Sequence, residues 1–297
     1  MTRLDLGRLG VWGHLDTLRA ADAVAYARSA EELGYGTLWV PETVGREPVA
    51  LLALLAAGTD AINLGTSIVN IWGRDAQAAR MAAMTLAEAS GGRFVLGLGV
   101  SHPHLAAKLR GHDYARPLTR MREYLAAYGA AVYRGPIADG WPDPPVLVAA
   151  LRERMTDLAA TDADGALPYL VTPERVAWMR GRLDAASGGG RPILAVTLPA
   201  VIGDPGEREA AQAYLRPYLR TPTYHASWQL QGFEPADWEP PGSDRLVDAM
   251  VAIGTVDVVR DRIAAMLDAG ADHVAIIPVA ADGATEHQPT LEALARG

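Results

Sequence analysis

Short apolar runs alternate with longer stretches of helical period almost from end to end of this chain. The runs at 9–12, 37–40, 62–67 and 94–99 read as four strands, and those at 146–149, 165–170, 193–201 and 273–278 as four more. The fifth, from Val146, is apolar throughout, as a strand covered on both faces requires. Helical period fills 18–33, 48–57, 76–89, 117–133, 153–160, 205–219, 256–269 and 289–295, and another helix opens at Pro173-Glu174. The punctuation agrees: Pro48 stands at a helix start, Thr172 and Thr255 at N-caps, and Gly34, Gly91-Gly92 and Gly270 at helix stops.

Eight strands, each followed by a helix, in 297 residues predict an α/β fold: a single (β/α)8 TIM barrel over residues 1–297. A doubly wound open sheet wants a Gly-x-Gly-x-x-Gly turn after its first strand, where this chain has Trp12-Gly13-His14. Two segments interrupt the rhythm. One is an insertion at about 101–116, after strand four. The other, at about 220–245 after helix seven, is rich in proline and aromatics (Tyr224, Trp228, Phe233, Trp238). Long excursions of this kind are commonly lids or binding loops.

The formal net charge is −8, which argues against a general nucleic-acid binder. There is no cysteine, so disulfides, thiolate catalysis and cysteine-bound metals are excluded. Lys108 is the only lysine; the Ala- and Arg-rich usage is a coding bias without functional content. The N-terminus carries no secretory pattern and no apolar run is long enough to span a bilayer. A cytoplasmic protein acting on a small molecule, away from nucleic acid and membrane, is expected.

Ligands of such barrels lie at the C-terminal ends of the strands. That mouth is built from Trp12 and His14, Glu42 and Thr43, residues 67–70 (Ser67, Ile68 and Asn70 among them) and Trp72, Ser101 and His102, residues 149–152, Tyr169, and residues 199–201 and 278–280. It offers no carboxylate pair. His102-Pro103-His104 is a lone i, i+2 pair, too little for a metal site. Ser101-His102 lacks the strained Gly-x-Ser-x-Gly turn of a nucleophile. Two stretches stand out, Leu64-Gly65-Thr66-Ser67-Ile68-Val69-Asn70 and Gly91-Gly92-Arg93-Phe94-Val95-Leu96-Gly97-Leu98-Gly99. Both read as buried strands ending in small residues, where a planar redox ring can lie against bare backbone.

These stretches, with Pro145-Val146-Leu147-Val148-Ala149-Ala150-Leu151 and Ala163-Asp164-Gly165 before Thr172-Pro173-Glu174, resemble the bacterial luciferase-like monooxygenase superfamily. The likeness is nearest to its branch of F420-dependent oxidoreductases, and FMN-dependent monooxygenases share the scaffold. The resemblance implies a non-proline cis peptide at Ser67–Ile68, against which the ring bends. It implies a cofactor site made of Thr43, Ser67, Ile68, Asn70, Val100, Ser101, Ala149, Ala150, Leu151 and Arg152, with the phosphate at the loops after strands four to six. The family often continues the fifth-strand motif with Gly-Pro, where Arg152-Glu153 stand here. Arg152 is either a phosphate ligand or a space filler.

Sugar-phosphate dehydrogenases of the family place a His after strand two and a Glu after strand four. Thr43 and His102 occupy those places, which argues against glucose-6-phosphate as substrate. His102 becomes the candidate proton donor or acceptor, because imidazole titrates near neutral pH. Glu42 is a second catalytic candidate, or a structural acid pairing with Arg46 or Arg74. Trp12, His14, Trp72 and Tyr169 are candidate substrate walls, and His112 and Tyr114 reach the substrate if their loop folds over the mouth. The resemblance also implies a homodimer through helices 48–57 and 76–89. A non-catalytic ligand-binding member of the same fold is the reading of a different class.

Overall fold

The computed structural model describes residues 4–136, 143–203, 208–280 and 284–295. Among them the strands are β1 (Leu9–Trp12), β2 (Thr37–Val40), β3 (Asn63–Thr66), β4 (Val69–Asn70), β5 (Phe94–Gly99), β6 (Val146–Val148), β7 (Gly165–Ala166), β8 (Ile193–Ile202), β9 (Ala252–Gly254) and β10 (His273–Pro278). Eight of these form a closed parallel ring in the order β1, β2, β3, β5, β6, β7, β8, β10 and back to β1. The last closure is the longest, with His273 to Pro278 in register with Ala195 to Ala200. β4 continues the third barrel position and pairs with β5, while β9 pairs with the end of β8. The (β/α)8 barrel read from the sequence is therefore the fold.

The helices are α1 (Ala20–Glu32), α2 (Pro48–Gly58), α3 (Ala76–Ala89), α4 (Pro117–Ala130), α5 (Glu153–Thr161), α6 (Pro173–Ala186), α7 (Arg208–Leu215), α8 (Pro222–Gln229), α9 (Asp244–Met250), α10 (Val256–Asp268) and α11 (Gln288–Ala295). Their ends follow local chemistry. Thr172 and Thr255 accept from the backbone N–H groups of Arg175 and Val258, at 3.3 and 3.4 Å. Gly34 and Gly270 end α1 and α10 in left-handed conformations, φ 83° and 104°, that a side chain would oppose.

Alternation along each strand divides the core in two. Leu38, Leu64, Phe94, Leu96, Val148, Leu194, Val274 and Ile276 point outward against helix residues such as Leu52, Leu55 and Met179. Trp39, Val95, Leu147, Ile193, Ala195 and Ala275 point inward and fill the barrel. Trp39 fits because inward Gly65 lies opposite it; a Cβ there would come within 2.5 Å of its ring. Its indole N–H meets Nε2 of His273, 2.9 Å away, and His273 Nδ1 lies 2.7 Å from the Gly7 carbonyl.

Two departures from the sequence reading have local causes. Strand six stops at Ala166, because Pro168 has no N–H for the ladder; only Tyr169 re-joins it, bridging to Thr197. Strand three is split at Ser67 and Ile68 into β3 and β4. The first insertion carries a π-helical turn, His104–Leu109. The stretch from α7 to α9 builds a core of its own around Trp228, Phe233, Trp238 and Leu246, and seats it on Val201, Ile277 and Val279 at strand ends. α10 packs on β8, β10, α6 and α11 as the barrel helix after β8.

Candidate active site

At the end of β1, Trp12 donates its indole N–H to the Ser67 carbonyl at 2.9 Å. The Ser67–Ile68 bond is cis, as the resemblance implies. Ser67 N–H donates to Val40 and Glu42 N–H to Ile68, at 2.9 and 3.0 Å, tying the end of β2 to the start of β4. His14 stacks on Trp12 with 6.5 Å between ring centroids. Its Nε2 lies 3.3 Å from Asp16, whose carboxylate also accepts from Thr43 Oγ1 and from the backbone of Gly45 and Arg46. Burial works to raise the Asp16 pKa, but the Thr43 and Arg46 hydrogen bonds and His14 outweigh it and hold it low.

Glu42 is almost fully enclosed. It accepts from both the backbone and side-chain N–H of Asn70, each at 2.7 Å, and pairs with Arg74 at 3.2 Å and Arg110 at 3.0 Å. Asn70 Oδ1 in turn accepts from Trp72 N–H at 2.9 Å. The partner of Glu42 is thus Arg74 and not Arg46, which binds the Leu18 carbonyl instead. Trp72 donates to the Val100 carbonyl at 2.8 Å and packs on His112 and Tyr114, with centroids 5.9 and 5.8 Å apart. The first insertion is therefore folded onto Trp72, and Tyr114 Oη reaches the Ser101 carbonyl at 2.9 Å.

His102 follows Ser101, which sits at φ 55°. Its ring lies parallel to His104 at 5.9 Å and against Tyr224 at 5.5 Å. Burial, with a smaller contribution from His104, pushes its pKa down to about 4, well below the near-neutral value expected from the residue type. Its Nδ1 is buried without a hydrogen-bond partner. Tyr224 begins an aromatic cluster with Tyr169, Tyr214 and Tyr218, joined by edge and tilted ring contacts of 5.2 to 5.9 Å and a Tyr169–Tyr214 hydroxyl pair. Burial raises the pKa of all four hydroxyls.

The chain matches the luciferase-like monooxygenase family model over residues 3–273. It belongs to that family. A putative coenzyme F420-dependent oxidoreductase of Mycobacterium tuberculosis is 28% identical over 327 residues, covering 89% of this chain and 91% of that protein. The solved coenzyme F420-dependent tetrahydromethanopterin reductase of Methanopyrus kandleri superposes with a TM-score of 0.73 at 19% identity, covering 97% of both chains. The FMN complex of the oxygenating constituent of 3,6-diketocamphane monooxygenase, from Pseudomonas putida, superposes equally well, TM-score 0.73 at 16% identity, over 97% of this chain and 96% of that one.

The glycines of β3 and β5 do not leave bare backbone for a ring. A Cβ on Gly97 would lie 2.0 Å from the Thr66 carbonyl oxygen, and one on Gly99 would lie 2.5 Å from Ile68. The space beside them is filled by neighbouring strands and by Ile68 and Leu167. Trp12, Ile68 and Tyr169 gather at the mouth, whereas Trp72 makes its ring contacts with the first insertion. Ala149 and Ala150 extend β6, and Leu151 and Arg152 lead into α5. Arg152 is exposed and makes no ion pair or side-chain hydrogen bond among the described residues. Tyr224 belongs to the aromatic-rich second insertion, whereas Tyr214 and Tyr218 come from the end of α7 and the turn after it and carry no such signal in the sequence. No group of three or more metal-ligating side chains occurs among the described residues. Among them, too, no helix is long and apolar enough to cross a membrane.

Proposed function

We propose that this protein is an F420-dependent oxidoreductase moving hydride between the deazaflavin and a small organic substrate. The observation that carries the chemistry is His102, a half-buried, neutral imidazole at a barrel mouth whose Nδ1 is buried and unpartnered. An orphaned buried nitrogen is costly unless a ligand satisfies it. The residues present fit an aromatic, anion-bearing cofactor: Trp12, Tyr169 and Tyr224 supply flat walls, and Arg152 a free cation beside the start of α5. The deazaflavin, when bound, supplies a hydride donor or acceptor at carbon. The mycobacterial relative supports F420 over FMN.

In this reading Ser67, Ile68, Val100, Ser101, Ala149, Ala150, Leu151 and Arg152 hold the cofactor. His102 holds or takes the substrate proton, its low pKa keeping it unprotonated at neutral pH. Glu42 fixes Asn70 and the loop to Trp72, and Asp16 fixes Thr43 and His14. The aromatic cluster keeps water from the reacting centre and favours a substrate with little charge. We also propose a homodimer through α2 and α3, where Leu54 and Met81 lie 47% and 49% exposed.

Equilibrium titration of the purified protein with F420 and with FMN tests the reading. Tight binding of F420, at least tenfold stronger than FMN, is the expected result. Tighter FMN binding, with oxygen consumed when the flavin is reduced, replaces it with a monooxygenase. Absence of binding to either makes the chain a non-redox member of its fold.

A further inference from the structure

A groove of about 720 Å³, lined by none of Tyr169, Tyr214, Tyr218 and Tyr224, lies between the starts of α5 and α6 and the second insertion. Its wall holds Arg175, which is only 7% exposed. One guanidinium nitrogen of Arg175 donates to the Leu151 carbonyl at 2.7 Å, and its Cζ sits 3.8 Å above the Trp178 ring. Its Nε is buried with no partner, and among the described residues Arg175 forms no ion pair. Burial without a counter-ion lowers its pKa. The residue also stands in the first turn of α6, where the helix dipole disfavours a cation.

Two other charges around the groove are already in ion pairs. Glu153 pairs with Arg182 at 2.8 Å, and Arg245 pairs with Asp237 at 3.0 Å while covering Phe233. The Glu174 carboxylate is held low by its own backbone N–H and the Thr172 hydroxyl. Arg175 is thus a buried cation left over beside an open cavity with apolar walls from Trp178, Leu230 and Phe233. Buried charges are ordinarily paired.

We propose that this groove is a second ligand site, distinct from the barrel mouth, that takes a small carboxylate or phosphate compound carrying an apolar or aromatic part. The anion sits on Arg175 and the apolar part lies along Leu230 and Phe233. Because Arg175 also grips the Leu151 carbonyl, occupancy bears on the loop that precedes α5.

The test is calorimetric titration of the cofactor-free protein with benzoate, phenyl phosphate and uncharged benzamide. Benzoate or phenyl phosphate binds, and benzamide binds at least tenfold more weakly. Arg175→Gln weakens the anion at least tenfold. Leu230→Glu, at a 57% exposed rim position that tolerates substitution, weakens it as well, and Leu230→Lys strengthens it. Equal binding of benzamide, no binding of either anion, or indifference to both Leu230 changes overturns the proposal, even if Arg175→Gln fails to fold. A repeat with saturating F420 separates the possible sources of the anion. Unchanged benzoate affinity supports an independent ligand. A more than tenfold loss assigns the groove to the cofactor's own anionic side chain and overturns the separate site. This arm is read with F420 binding established in the titration above; the comparison of benzoate, phenyl phosphate and benzamide stands whether or not F420 binds.

Discussion

His102 and His273 are both neutral imidazoles in the fold, each with a pKa lowered to about 4, and they make different predictions. His102 faces the mouth. With an assayable substrate, His102→Ala lowers kcat/KM by about 10²–10⁴-fold, the range for a general acid or base. The pH profile should show no His102 limb between pH 5 and 8, and activity should fall only as pH drops towards 4, where the imidazole gains a proton. A rate unchanged in His102→Ala rules it out as the proton-transfer group. His273 has no exposure and sits between Trp39 and Gly7. Its folded pKa lies below the unfolded value of about 6.5, so the unfolded chain binds the proton first as pH falls. Stability is therefore full above pH 6.5 and is lost towards pH 4, by roughly 3 kcal/mol in all. Urea melts at pH 7 and pH 4.5 should show most of this drop on top of a contribution from His102, and His273→Asn should reduce the pH dependence without abolishing it.

The strands and their glycines carry the next level. Gly97→Ala places a methyl group against the Thr66 carbonyl, a backbone atom that cannot turn aside, so it should cost about 3 kcal/mol or more in chemical denaturation. Glu42→Gln leaves Arg74 and Arg110 without their shared carboxylate and should cost a similar ~3 kcal/mol. Much of this architecture was legible. The β5 and β10 bounds and α3 were readable because apolar period and Gly or Pro punctuation coincide there. The break in β7 at Pro168 was signalled by the proline, but the apolar run around it masked it. The role of Gly65, Gly97 and Gly99 was not legible. A glycine reads alike whether a ligand or a neighbouring side chain fills the space, and only three dimensions show Trp39 and Ile68 there. Nor does a histidine at a strand end reveal how deeply His102 is buried, which decides its charge.

At the scale of the molecule, the second insertion is a small core of its own set on strand ends, so the mouth is assembled from two bodies of packing that share Trp12. The proposed homodimer places a second copy on the outer face of α2 and α3. Light scattering should give twice the chain mass, and Leu54→Glu with Met81→Glu should return the monomer without loss of helical signal. A wild-type monomer removes the dimer. The ring itself imposes an order on synthesis. Its final member, β10, joins both β1 and β8, so neither has its neighbour until nearly the whole polypeptide has been translated. Until then a nascent chain presents two open, apolar sheet margins able to pair with the wrong partner, a hazard that chaperones exist to contain.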